Sequence, residues 1–193
     1  MKLGFLKAAL TAGVLFGCGQ DTPDGNNDSD TAKGPVSGDT ADDGPRFEAD
    51  SVEALYYDGD NPVWVLIAKA DDTWLYVENY PSFGGASGPE TRTLDETETN
   101  YGTCGVCVLL KTGCQPHGDH AHCAATFMPE PGGSVTFDEL GFGAGESWAG
   151  SLTSMTFVEV TMNSETFETT PVDGGDTVAF DGYDFRVTLE AGE

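Results

Sequence analysis

Short runs of β-branched, aromatic and aliphatic residues dominate the sequence from residue 47 onward, and glycine, proline, asparagine or aspartate separates nearly all of them. The apolar types suit the pleated surface of a β-sheet, and the separators suit turns. Outside the first residues, no window long enough for a helix keeps a helical period. The pattern therefore predicts an all-β fold, which is an antiparallel β-sandwich (jelly-roll-like or Ig-like) or a barrel.

Strands are predicted at the runs themselves, and several of them alternate in polarity. Val135 and Phe137, like Phe185 and Val187, have polar neighbours on either side, which is typical of a strand with one buried and one wet face. The predicted strands span residues 52–57, 63–69, 73–79, 91–94, 106–111, 124–128, 134–140, 148–152, 155–162, 177–180 and 185–189.

The N-terminal segment has the pattern of an export signal. Lys2 and Lys7 form a positively charged region at the start, and residues 5–15 form an apolar run that is followed by Gly17-Cys18. This run is too short to span a bilayer. The segment resembles the lipobox of bacterial lipoproteins, with Phe16 a bulky residue where small ones are preferred. The resemblance implies that Cys18 is lipidated. Gly19 and Gln20 lack the aspartate of inner-membrane retention, so the outer membrane of a bacterial envelope is the expected location.

Charge and composition divide the chain and exclude some partners. Residues 1–17 are predicted to be the signal peptide, 18–46 an acidic disordered tether and 47–193 a single all-β domain. The formal net charge is −25, and it becomes −27 when the signal and its two lysines are removed. Such a chain repels nucleic acid and anionic headgroups. We therefore expect membrane contact through the N-terminal lipid alone.

Four further cysteines, Cys104, Cys107, Cys114 and Cys123, lie close together in the sequence. In an oxidising compartment an even number predicts two disulfides, for which three connectivities exist. We favour Cys104 with Cys107 and Cys114 with Cys123, because the second bridge would staple the loop between two predicted strands. A redox role for the Cys104-x-x-Cys107 motif is not expected, since the motif enters a strand rather than a helix.

All three histidines, His117, His120 and His122, fall in the loop between the last two of these cysteines. Reduced cysteines could complete a zinc tetrahedron with them. If the cysteines are oxidised, the three imidazoles remain as ligands for zinc, copper or nickel. The alternative is a polar, exposed loop tip without a metal. Metal binding through these histidines is the second of the functions that we consider, and no other cofactor is predicted.

The aromatic residues suggest a binding surface or a core. On the predicted strand 73–79, Trp74 and Tyr76 share one face and Leu75 and Val77 the other. If Leu75 and Val77 pack into the core, the rings form a surface platform for a glycan or an envelope protein partner. If both faces are covered, as is common for a central strand, the rings belong to the core, and this is what we expect.

Catalytic motifs are lacking in the sequence. It contains no Gly-x-Ser-x-Gly elbow, no His-Glu-x-x-His pair, no phosphate-binding loop and no glycine motif for dinucleotides. An enzyme is therefore the least favoured of the three classes of function.

Three segments resemble uncharacterised lipoproteins of the myxobacterial type. They are NYGTCGVCVLL at residues 100–110, GSLTSMTFVEVT at 150–161 and TFETTPV at 166–172. The resemblance implies a shared β-rich fold behind an acidic tether, but no activity, and the histidine segment is not part of it. The sequence thus predicts a membrane-anchored extracytoplasmic lipoprotein whose β domain is a binding or envelope-structural module.

Overall fold

The structure is a computed structural model that describes residues 45–117 and 120–192, without the side chains of His117 and His120. The predicted signal peptide, the lipidated Cys18 and nearly all of the predicted tether lie outside the described residues. Within them there is no α-helix, and the one helical element is a 3₁₀ turn at Pro81–Phe83. None of the described residues forms a helix that is long and apolar enough to cross a membrane.

The fold is all-β, as predicted. The strands are β1 (Ser51–Tyr57), β2 (Val63–Ala70), β3 (Thr73–Asn79), β4 (Glu90–Thr93), β5 (Val106–Thr112), β6 (Gln115–His117), β7 (His120–His122), β8 (Ala125–Pro129), β9 (Ser134–Leu140), β10 (Ser147–Met162), β11 (Thr169–Pro171), β12 (Thr177–Thr188) and β13 (Glu190–Ala191).

Eleven of these strands form one sheet, in the order β13-β1-β2-β3-β5-β8-β10-β9-β4, with β11 and β12 also paired to β10. Neighbours are antiparallel except β13, which runs parallel to β1. The sheet is not closed into a barrel, so that alternative of the prediction is wrong. β6 and β7 form a separate two-stranded hairpin.

The long strand β10 joins two arms of the sheet. One arm is formed by β13, β1, β2, β3, β5 and β8, and the other by β9 and β4. On one side its first half pairs with β9 and its second half with β8, and on its other side it pairs with β12 and β11. The sequence predicts two strands here, and likewise two in place of β12. The backbone at Ser154 has a φ of 55°, yet the pairing between β10 and β12 continues beyond it in the same register. A local irregularity therefore does not end the strand.

One hydrophobic core lies between the two arms. It takes Trp64 and Leu66 from β2, Leu75 from β3, and Trp148 and Phe157 from β10, all of them almost completely buried. Because residues from distant strands of a single sheet share this cluster, the sheet folds over it in the manner of a sandwich. The inner faces of the strands are thereby used for stability. A second, smaller cluster that includes Cys107 and Leu109 of β5 covers part of the outer face.

Candidate functional site

Two aromatic rings lie on the outer face of the sheet. Along β3, Leu75 and Val77 are completely buried in the core, and Trp74 and Tyr76 point to the opposite side, where both are half-buried. Tyr76 packs against a second, smaller core cluster on this side of the sheet, so the expectation that the rings belong to a core holds for it in part. Trp74 belongs to neither core cluster, and the alternative of a surface platform describes it better. The centroids of the two rings are 6.5 Å apart and their planes meet at 36°.

Two lysines complete this surface, which we call the outer platform (Lys69, Trp74, Tyr76 and Lys111). The register of β2, β3 and β5 places Lys69 and Lys111 directly on either side of Trp74. Lys69 Nζ lies 4.6 Å from the centroid of Trp74, and Lys111 Nζ lies at the same distance from the centroid of Tyr76. Cation–π contacts of this kind hold the rings in place.

The two lysines differ in their electrostatic surroundings. Lys69 Nζ forms a 2.7 Å ion pair with Glu53 Oε1 on the neighbouring strand β1. Burial lowers the pKa of Lys111, and the charge of Glu78 opposes that shift. Among the described residues Lys111 forms no ion pair. Its half-buried ammonium group is instead held over the ring of Tyr76.

Beside the outer platform, a buried carboxylate is held by two phenols. Glu78 Oε2 accepts hydrogen bonds from the hydroxyls of Tyr80, at 2.6 Å, and Tyr101, at 2.9 Å. Burial and the charge of Glu78 raise the pKa of both phenols far above the ordinary value. Both hydroxyls therefore stay protonated at neutral pH. The cluster is suited to fixing the chain rather than to acid–base catalysis.

The segment that carries Tyr101 is tied down on the outer face. The N–H of Tyr101 donates to Thr169 Oγ1, and the N–H of Thr169 donates to Asn100 Oδ1. The Cys104–Cys107 disulfide lies at its end, where both cysteines are completely buried against Leu109 and other members of a second, smaller core cluster. A disulfide buried in this way cross-links the Tyr101 segment to β5.

A shallow groove of about 180 Å³ runs along the outer face near β8, β10 and β11. Met128, Val158 and Val160 line it, with three prolines, and Glu130 is the one carboxylate among its lining residues. Met128 and Val160 also belong to the smaller core cluster beneath the Tyr101 segment. The groove is therefore bounded by the same segment that Glu78 fixes.

The histidine segment is a β-hairpin rather than a loop. The Cys114–Cys123 disulfide closes the base of β6 and β7, so both predicted disulfides are confirmed. His117 pairs with His120 in the hairpin, and the side chain of His122 is exposed. Among the described side chains, no three His, Cys, Asp or Glu residues are grouped so as to hold a metal. The side chains of His117 and His120 lie outside that description.

Lys69 and Lys111 of the outer platform, and the buried Glu78 beside it, are not among the residues predicted from the sequence. A signal for Glu78 exists in the sequence, because it continues the alternation of Trp74 and Tyr76 along the same strand. Lys111 gives no such signal, since only the pairing of β3 with β5 brings it next to Trp74.

Comparison with known proteins identifies no relative of this chain. No family of known proteins matches the sequence, and no curated protein and no solved structure is significantly similar to the chain.

Proposed function

We propose that the protein is a lipid-anchored binding module of the bacterial cell envelope and that the outer platform is its contact surface. One observation carries this proposal. Trp64 and Trp148 are completely buried, whereas Trp74 is only half-buried, on the outer face. An aromatic side chain of this size contributes most to stability when it is buried, so its position on the surface favours a role in binding.

The chemistry of the outer platform favours a glycan as the ligand. Sugar rings present C–H groups that pack on aromatic faces, and their hydroxyls need donors and acceptors at the edge. Lys111 supplies a donor, and the ion pair of Lys69 with Glu53 supplies both kinds of group. The net charge of −25 opposes the approach of anionic polymers but not of neutral sugars. We therefore propose a neutral or weakly charged polysaccharide of the envelope.

The N-terminal signal supports the location of the module. Cys18 ends the apolar run, and lipidation there would hold the domain at a membrane that its own charge repels. The acidic segment 18–46 would then act as the spacer between the lipid and the domain.

Tryptophan fluorescence tests this proposal directly, because Trp74 is the tryptophan that solvent quenchers reach. We expect chitohexaose to change the emission in a saturable manner and to protect Trp74 from acrylamide. Isolated peptidoglycan sacculi should co-sediment the protein. Trp74→Ala should abolish co-sedimentation. Val52→Ala is the matched control, because Val52 is exposed but lies on the opposite face of β1.

Two results would contradict the glycan proposal. One is the absence of any response to both probes, and the other is equal co-sedimentation of the Trp74→Ala protein and the wild type.

A further inference from the structure

Five apolar side chains of β1 and β2 lie on the outer face of the sheet, next to the outer platform. They alternate along their strands with core residues such as Trp64 and Leu66, which are completely buried. Each of the five is half-buried, and none packs against either core cluster of the described part of the chain. We call them the apolar strip (Leu55, Tyr57, Val63, Val65 and Ile67). A face of an antiparallel sheet that meets only water is usually polar, so the apolar strip indicates a contact surface.

The apolar strip continues the outer platform along β2. Ile67 is paired with Tyr76, and Trp74 lies opposite the next position on that face of β2. At the other end of β2, Val63 is paired with Tyr57. Six steps along a strand span roughly 20 Å, so the two surfaces form one run of this length with aromatic rings at both ends.

The ring of Tyr57 is held in place by the backbone that follows β13. The N–H of Gly192 donates to the carbonyl of Tyr56 at 2.8 Å. A Cβ atom at position 192 would collide with the ring of Tyr57, so the backbone there packs closely against that ring. A side chain that is already fixed loses little conformational freedom when a ligand binds, which favours its use as a contact.

The apolar strip itself carries no charge, and the carboxylates beside it are neutralised or buried. Glu53, the neighbour of Ile67 on β1, forms the ion pair with Lys69. Glu78, the neighbour of Val65 on β3, is buried and accepts hydrogen bonds from two phenols. On a chain with a net charge of −25, such a surface suits an uncharged ligand.

The dimensions of this surface favour a linear ligand over a second copy of the chain. Neighbouring strands lie about 4.8 Å apart, so β1, β2 and β3 together give a flat area on the order of 300 Å². A stable protein interface buries about 800 Å² on each partner, and two copies with a charge of −25 repel one another. A single polymer chain, in contrast, needs only a long and narrow surface.

We propose that the glycan site extends from the outer platform along the apolar strip to Tyr57 and binds the interior of a linear, uncharged polysaccharide, with several sugar rings in contact at once. This inference rests on the proposed glycan function and specifies the form of its ligand, which is a long chain rather than a terminal sugar. The C–H faces of the sugar rings pack on Trp74 at one end and on Tyr57 at the other, and the aliphatic side chains of β2 cover the distance between them.

Titration of the full-length protein in detergent with chitobiose and with chitohexaose tests the extent of the site. We expect chitohexaose to bind more tightly than chitobiose. Tyr57→Ala should weaken chitohexaose binding by about 10-fold, the change in Kd that one aromatic contact of ordinary strength produces. Chitobiose binding at Trp74, followed by the fluorescence of that residue, should stay unchanged in the variant.

The comparison with Tyr57→Ala is decisive because a longer sugar also has more ways to occupy a single ring. That statistical gain would persist in the variant, whereas the gain from a second contact would not. Val65→Thr keeps a β-branched side chain and therefore the strand, and it should weaken chitohexaose binding in the same direction.

Phe142→Ala is the matched aromatic control. Phe142 is 51% exposed, but it packs against the core residue Trp64 rather than on the outer face, so neither affinity should change. Equal chitohexaose affinity in the wild type, Tyr57→Ala and Val65→Thr would overturn the extended site and leave binding at the outer platform intact. Failure of the wild type to bind either sugar would remove the proposed function and this inference together. A dimer in solution that Tyr57→Ala dissociates would also overturn it, because a second copy would then occupy the apolar strip.

Discussion

The indole Nε1 of Trp64 donates a 2.6 Å hydrogen bond to the carbonyl oxygen of Gly141, 77 positions away in the sequence. Trp64 lies on β2, and Gly141 follows the end of β9. The ring of Phe142 packs edge-on against the same indole, with the centroids 5.2 Å apart. This contact therefore links the two arms of the sheet across the core.

Replacing Trp64 should destabilise the fold far more than replacing Trp74. In Trp64→Phe the Gly141 carbonyl loses its partner and the smaller ring leaves a cavity, so we expect a loss of about 2 to 4 kcal/mol in the free energy of unfolding. Trp74→Phe keeps a ring on a half-buried position of the outer face, and its cost should stay below about 1 kcal/mol. Urea unfolding followed by far-ultraviolet circular dichroism measures both. Equal costs would contradict the role of Trp64 as the link between the arms.

Most of the fold could be predicted from the sequence because the local signals were strong. β3 and β9 have the predicted bounds, since each alternates regularly and is bounded by turn residues. The short strands β6, β7, β11 and β13 were missed. Each has only two or three residues, and its strand geometry comes from pairing with another strand rather than from its own sequence.

The candidate site could be predicted only in part, because it depends on which strands are neighbours. The alternation along β3 separates Trp74 from Leu75, but it does not say which of the two faces the core. The pairing of β3 with β5 brings Lys111 beside Trp74. These two strands are separated in the sequence by a segment that contains β4, so their pairing cannot be inferred from chain order. The two disulfides could be predicted because their cysteines are close in sequence.

The hydroxyl of Tyr183 is buried and has no hydrogen-bond partner among the described residues. Its ring packs against Phe185 and Phe47, and these contacts remain in Tyr183→Phe. Because the variant removes a polar group without a partner, we expect the free energy of unfolding at pH 7 to rise by about 1 kcal/mol. Thermal or urea unfolding measures the change. A loss of stability would instead show that the hydroxyl contributes a favourable contact.

The buried hydroxyl of Tyr183 should also make the free energy of unfolding depend on pH in the alkaline range. Burial raises the pKa of Tyr183 to about 12, whereas an unfolded tyrosine ionises near 10. Above pH 10 the unfolded state is therefore stabilised by ionisation of this phenol while the folded state stays protonated, so the free energy of unfolding falls as the pH rises from 10 toward 12. The decline in stability across this window should be shallower in Tyr183→Phe than in the wild type, as unfolding curves at closely spaced pH values would show. Identical slopes would contradict this assignment.

The two disulfides should differ in their access to a reductant. Cys104 and Cys107 are completely buried, whereas Cys123 is half-buried at the base of an exposed hairpin. Under native conditions we expect phosphine treatment followed by alkylation to label Cys114 and Cys123 first. Mass spectrometry of the untreated protein should show no free thiol at these four positions, and peptide mapping should locate the first label. Initial labelling of Cys104 and Cys107 would contradict the burial of that bridge.

Cys18→Ala should release the protein from the membrane fraction. Residue 18 is the proposed site of lipidation, and the remaining chain carries a net charge that repels anionic headgroups, so acyl chains are its means of attachment. Fractionation of cells that express the wild type or the variant, with labelled palmitate as a second readout, measures both effects. N-terminal sequencing must show that the apolar run has been removed from the variant, because an uncleaved signal would itself retain the chain. A cleaved Cys18→Ala protein that still sediments with membranes would contradict anchoring through this residue.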